Sequence, residues 1–166
     1  MKRHLSIVLC IIAAGCATAN LPRSVSQGMP ASEVASRMGK PVAEGRLPNN
    51  DSYWDYTLQP RGFHNYRVTF GPDEHVRGVQ DLLTEENFRN LRPGMSPAEV
   101  AAVVGPSREA YRYANGTMTW SYRYRDYEVI KLLHITFDRA DRVDYFYTEW
   151  DPNVYSKGDG KGKGGR

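Results

Sequence analysis

The chain has 166 residues, enough for one ordinary domain or two small ones, and its 22 basic and 19 acidic side chains are a normal share for a globular protein. Residues 156–166 hold four of the basic groups and one acid, a net charge of +3, so the rest of the chain sums to zero. No basic globular face is implied, and nucleic acid is therefore not an expected partner.

The N-terminus has the pattern of an export signal. Basic residues are followed by an apolar run at residues 5–14, which is too short to span a bilayer as a folded helix, and then by AAGC. Small residues before a cysteine are similar to a bacterial lipobox, which predicts a lipoprotein signal peptide over residues 1–15 and lipidation of Cys16. Because Ala13 stands where a lipobox usually has leucine, ordinary signal cleavage before Asn20 remains the alternative.

The first predicted unit, residues 16–82, contains GMPASEVASRMG at residues 28–39, a short helix with a glycine stop. Pro30 stands where a capping serine is expected, so the start of this helix is weakly defined. A turn at Asn49-Asn50 follows, and alternation then predicts strands that bury Trp54, Tyr56 and Leu58, and next Tyr66, Val68 and Phe70.

The second predicted unit, residues 83–152, repeats this order. Thr84 is the expected cap of a preceding helix. GMSPAEVAAVVG at residues 94–105 matches the first helix at six of twelve positions, 66 residues later, and Ser96 with Glu99 predicts a capping box. Two copies of one fold are indicated.

The strands of the second unit are also predicted from local signals. Asn115-Gly116 is a two-residue hairpin signal, and TWSY at residues 119–122 repeats YWDY of the first unit. Leu133, Ile135 and Phe137 share one face of the next strand. We therefore expect an α+β protein of two tandem repeats, each a short helical segment packed on a three- or four-stranded antiparallel meander, with Trp54 and Trp120 in the cores.

The last predicted strand contains three consecutive aromatic residues, so at least one of them points away from the core. Trp150 follows, and Arg123 and Arg125 are expected to flank this surface from the neighbouring polar side. Aromatic side chains with arginine are typical of binding hot spots, although burial between the two repeats is the competing interpretation. The predicted partner-binding residues are Tyr145, Phe146, Tyr147, Trp150, Arg123 and Arg125.

No catalytic, metal or cofactor site is predicted. His64, His75 and His134 lack metal-ligand spacing, and neither a nucleophile elbow nor a phosphate-binding glycine loop is present. Cys10 and Cys16 fall in the signal peptide and at its cleavage site, so the mature chain is expected to have no disulfide. Residues 153–166, rich in glycine and lysine, are predicted to be disordered.

The order of these motifs, Gly-Met, Glu-Val, a Gly-Pro stop, a W-x-Y strand and a T-F-D strand behind a lipobox, resembles the SmpA/OmlA (BamE-like) outer-membrane lipoprotein family, here as a tandem repeat. Tandem copies of a similar fold also resemble the beta-lactamase inhibitory proteins. The first resemblance implies a non-enzymatic, lipid-anchored scaffold on the periplasmic face of the outer membrane, with the β-barrel assembly machinery as protein partner. The second implies an inhibitor that binds a periplasmic or foreign enzyme on its sheet face.

Overall fold

The computed structural model describes residues 25–155. The predicted signal peptide, Cys16, the cleavage site before Asn20 and residues 156–166 lie outside the described residues. The elements are α1 (Ala31–Met38), β1 (Ala43–Arg46), β2 (Ser52–Thr57), β3 (Asn65–Phe70), β4 (Val76–Asp81), α2 (Glu85–Phe88), α3 (Pro97–Val104), β5 (Glu109–Arg112), β6 (Met118–Asp126), β7 (Val129–Phe137), β8 (Val143–Trp150) and α4 (Pro152–Tyr155).

The strands form two separate antiparallel sheets of four strands, in the orders β1-β2-β3-β4 and β5-β6-β7-β8. Each sheet is preceded by a two-turn helix, α1 in the first case and α3 in the second. The predicted α+β fold of two tandem repeats is confirmed, with four strands in each meander.

The two repeat helices begin differently and end alike, as their sequences predict. At α3 the Ser96 side chain accepts a hydrogen bond from the backbone of Glu99, whose side chain accepts one from the Ser96 backbone. The first helix begins at Pro30 with no side-chain cap. Gly39 and Gly105 close the helices with positive φ angles of 74° and 80°, where glycine is free of Cβ strain.

The same contacts hold each helix to its own sheet. The Tyr56 hydroxyl donates to the Gly39 carbonyl at 3.3 Å, and the Tyr122 hydroxyl donates to the Gly105 carbonyl at 2.9 Å. Near them, each tryptophan meets a phenylalanine edge to face: Trp54 and Phe70 at 4.7 Å, Trp120 and Phe137 at 5.0 Å between ring centroids. The repeat is therefore one of packing as well as of sequence.

The two cores are separate clusters of buried apolar residues. Tyr56 and Tyr122 are buried in them, as expected. Trp54 and Trp120, which were expected in the cores, are partly buried and pack against the two clusters.

Candidate binding surface

Each sheet has a core face, which packs on its own repeat helix, and an outer face. On the outer face of the first sheet, Asp55 and Arg67 form a buried, paired carboxylate–guanidinium contact with two hydrogen bonds of 2.8 Å. Arg67 Nη1 also donates to the carbonyl oxygen of Ala102 in α3, at 2.8 Å. The planar guanidinium group of Arg67 can donate to the Asp55 carboxylate and to the Ala102 carbonyl at the same time. These hydrogen bonds offset the cost of removing the buried charges from water.

The helix of the second repeat thus covers the outer face of the first sheet. Beside Arg67, the buried Asn65 amide donates to the carbonyl oxygen of Val104 at 2.7 Å, at the end of α3. A Cβ at Gly105 would stand 2.8 Å from the Asn65 amide nitrogen, so glycine is needed here for close approach as well as for its φ angle. Helix-end carbonyls that lack intrahelical partners are satisfied by this contact.

A second set of contacts joins the repeats and involves two predicted partner-binding residues. Gln59 receives the backbone N–H of Arg123 at 2.9 Å and donates to its carbonyl, while the Arg123 side chain pairs with the buried Asp151 at 2.6 Å. The guanidinium groups of Arg123 and Arg125 lie over the ring of Phe63 at 5.1 and 4.8 Å. Both arginines therefore contact the first repeat. The sequence pattern had instead predicted that they flank the aromatic surface of the second repeat.

The 59–63 segment of the first repeat covers the Arg123–Arg125 end of the outer face of the second sheet. The rest of this face, around Ser121 and His134, we call the open face. Its register puts Ser121 opposite His134, the positions that correspond to Asp55 and Arg67. The Ser121 hydroxyl lies 2.9 Å from His134 Nδ1, and His134 Nε2 lies 3.1 Å from Glu149. A serine, a histidine and a half-exposed glutamate have thus replaced the buried ion pair of the first repeat.

A shallow groove with a volume of about 470 Å³ runs across the open face. Tyr111 and Tyr113 on the β5 side touch edge to face at 4.7 Å, and Tyr145 and Tyr147 on the β8 side stack at 6.2 Å. The groove is also lined by hydroxyl, imidazole, methyl and carboxylate groups from Glu109, Ala110, Thr119, Ser121, His134 and Thr136.

The four tyrosines of the groove are exposed. Tyr111 is 65% exposed and Tyr145 52%. Tyr147 stacks on His134 at 5.1 Å, and partial burial raises the pKa of its hydroxyl, as do Glu149 and the nearby Tyr145 and Tyr113.

The other two predicted residues lie elsewhere. Phe146 points to the core side, as strand alternation requires, and packs half-buried against the second core. Trp150 is 65% exposed at the end of β8, and its ring lies 5.5 Å from that of Tyr155. Tyr145 and Tyr147 thus lie together on the open face, apart from Phe146 and Trp150. Both arginines lie on the same side of the sheet but at its covered end.

The sequence reading missed Tyr111 and Tyr113 as members of this surface. The sequence does contain a signal for them, because the Asn115-Gly116 hairpin pairs their segment with the strand Met118–Asp126. Tyr111 stands opposite Thr119 in that pairing. In a four-residue strand that is exposed throughout, alternation alone does not reveal which face is free.

Within the described part of the chain, no group of three or more His, Cys, Asp or Glu side chains is placed to hold a metal ion. Among the helices of residues 25–155, none is both long and apolar enough to cross a membrane.

Comparison with known proteins gives one structural likeness. No protein-family profile matches the chain, and no curated protein matches it significantly in sequence. The crystal structure of a DUF4309 family protein (YjgB) from Bacillus subtilis subsp. subtilis str. 168 is similar at 16% sequence identity, covering 74% of this chain and 78% of that chain, with a TM-score of 0.28. At that TM-score the likeness supports no conclusion about function.

Proposed function

We propose that this chain is a non-enzymatic binding protein of the bacterial envelope, which captures protein partners on the open face of its second repeat. The observation that carries the proposal is the tyrosine-walled groove on a sheet face whose counterpart in the first repeat is covered by another unit. An exposed aromatic cluster of this kind on a soluble domain is typical of an interaction site.

The composition of the groove supports protein recognition. Tyrosine provides large, rigid contact area at low entropic cost, and short hydroxyl side chains provide adaptable hydrogen bonds, a combination found in protein-binding surfaces. Thr119, Ser121 and Thr136 form the floor between the two tyrosine pairs. The first repeat then acts as support, because its own outer face is occupied by α3.

Placement in the envelope rests on the N-terminal sequence and on the SmpA/OmlA resemblance. Cys16 is the proposed lipid attachment site, and Ala17 after it, which is not aspartate, favours sorting to the outer membrane. Cys16→Ser should release the protein from membranes into the soluble periplasm. An intact mass that begins at an unmodified Asn20 would contradict the anchor and leave a soluble periplasmic or secreted protein.

The partner is tested by crosslinking in native membranes followed by purification of this chain. The scaffold function predicts subunits of the β-barrel assembly machinery among the captured proteins, and their loss in Tyr111→Ala. Capture of a single stoichiometric enzyme instead would assign the inhibitor function implied by the second resemblance. Capture that is unchanged in Tyr111→Ala would remove the open face from either function.

A further inference from the structure

Strand β8 is the longest open edge of the two sheets. It has eight residues, against four in β1 and β5 and six in β4, the other three edge strands. Its sequence, VDYFYTEW, contains no proline or lysine, two residues that often block pairing at an edge. The main chain of Val143 is already hydrogen-bonded to Gly94 and Met95. From Asp144 onward, the outward main-chain groups of β8 have no hydrogen-bond partner among residues 25–155 and are available as a template for one more strand.

Cavities adjoin this edge on both sides of the sheet. On the open face lies the tyrosine groove, and on the helix side a cavity of about 370 Å³ lies between α2 and β8. Phe88, Leu91 and the half-buried Phe146 provide the apolar lining of that second cavity, and Tyr147 borders both cavities. Successive side chains of a strand beside β8 would enter the two cavities alternately.

The charge beside the second cavity favours an acidic ligand. Arg89, Arg92 and Glu85 line it, and the Glu85 carboxylate is already bound by the Tyr124 hydroxyl and the Lys131 ammonium group. Arg92 donates to the backbone carbonyls of Arg89 and Leu91, whereas the Arg89 side chain makes no ion pair or hydrogen bond with any of residues 25–155 and is exposed. A carboxylate on the added strand would be the missing partner of Arg89.

We infer that β8 binds an extended segment of another protein as a fifth strand of the second sheet, one with aromatic or aliphatic residues at alternate positions and an acidic residue facing Arg89. This inference rests on the proposed function and specifies its ligand as an unpaired β-strand. Main-chain hydrogen bonds supply the affinity and the two cavities supply the side-chain preference.

A second copy of this chain fits the edge less well. When two β8 strands are paired antiparallel about their centre, Asp144 of each copy stands opposite Glu149 of the other, which places like charges together twice. The occupant is therefore a different protein, and a monomeric chain in sedimentation velocity is the expected behaviour.

The test uses a fluorescent peptide of the same length as β8, eight residues, with phenylalanine alternating with threonine and one glutamate. Binding is followed by fluorescence anisotropy, and hydrogen exchange of the β8 amides by NMR. At saturation, alternate amides between Asp144 and Glu149 should exchange at least about tenfold more slowly, because edge N–H groups become paired.

Peptide binding without added protection of β8 amides would overturn the fifth-strand mode, yet leave the open face as a binding surface. Failure of the peptide to bind would also overturn the inference. The proposed function would still be tested independently, by partner capture in Tyr111→Ala. Dimerisation through β8, seen as a sedimenting dimer that the peptide disperses, would assign the edge to a second copy and overturn it too.

The charge preference has its own control. Arg89→Glu should weaken binding of the glutamate peptide by about tenfold, and that of a glutamine version by much less. Arg108→Glu, at the exposed start of the opposite edge strand, is the matched control and should change neither affinity. Equal loss for both peptides would contradict the assigned carboxylate contact.

Discussion

The outer faces of the two sheets differ in what covers them, although the sheets share one fold. The first carries a buried Asp55–Arg67 pair that holds the carbonyl end of α3. The second carries Ser121 and His134 at the same positions and is open. The core-side contacts, by contrast, are the same in both repeats, down to the tyrosine–glycine hydrogen bond.

The two repeats share their core packing, whereas the residues on their outer surfaces differ. In β4, Gly78 and Gln80 stand where β8 has Tyr145 and Tyr147, since Val68 pairs with Val79 as Ile135 pairs with Phe146. The side chains at these two positions are a glycine and a flexible glutamine in the first repeat, and two tyrosines in the second. The first sheet is consequently covered on its outer face, and the second leaves exposed the surface that we propose binds a partner.

The largest expected effect comes from breaking the covered face. Arg67→Ala leaves the Asp55 carboxylate buried without its partner and should cost about 3–5 kcal/mol in urea-induced unfolding. His134→Ala, the corresponding change on the open face, should cost less than about 1 kcal/mol because its partners remain hydrated. Comparable losses for the two variants would mean that the open face is as enclosed as the covered one.

The shared core predicts equal effects in the two repeats. Trp54→Ala and Trp120→Ala should each cost about 3 kcal/mol, the lower end for buried large aromatics, because both rings are only partly buried. Thermal or urea unfolding of the two variants is the measurement. A cost below about 1 kcal/mol at both positions would contradict the core assignment, and a large difference between them would break the equivalence of the repeats.

Buried tyrosines predict a loss of stability in alkali. Burial raises the pKa of Tyr56 to about 12, and burial with the Asp81 charge raises that of Tyr66 to about 12. Unfolded tyrosine ionises near pH 10, so above that pH the unfolded state binds fewer protons than the folded state, and stability falls as pH rises toward 12.

Each of these tyrosines should contribute a loss of about 1–3 kcal/mol over that window. Tyr56→Phe removes one ionising group and should make the decline in unfolding free energy between these pH values less steep. If the pH dependence of the unfolding free energy is unchanged in Tyr56→Phe, the Tyr56 hydroxyl has the same pKa in the folded and unfolded states. Burial also raises the pKa of Tyr122, so Tyr122→Phe provides the matched variant in the second repeat.

Much of the fold was predictable because its signals are local. The Ser96–Glu99 capping box and the Gly105 stop define α3 within one or two turns of chain, and the structure begins and ends the helix there. Alternation likewise identified the core face of β7. Such features depend on neighbours in sequence, which a single chain displays directly.

The binding surface was predictable only in part, because it depends on how the repeats stack. Alternation places Tyr145 and Tyr147 on the face opposite Phe146, and the structure agrees. Nothing local indicates that Phe63 of the first repeat lies under Arg123 and Arg125, or that α3 covers the first sheet. Those contacts join residues far apart in the chain, and they decide which of two similar faces stays open.

The central claim, that the open face binds partners while contributing little to folding, is tested most directly by Tyr145→Ala. Tyr127, 92% exposed in the β6–β7 turn, is the matched control as Tyr127→Ala. Both variants should unfold within about 0.5 kcal/mol of the parent chain. Partner capture from crosslinked membranes should fall about tenfold or more in Tyr145→Ala and stay unchanged in Tyr127→Ala. Full capture by a stably folded Tyr145→Ala variant would contradict the account.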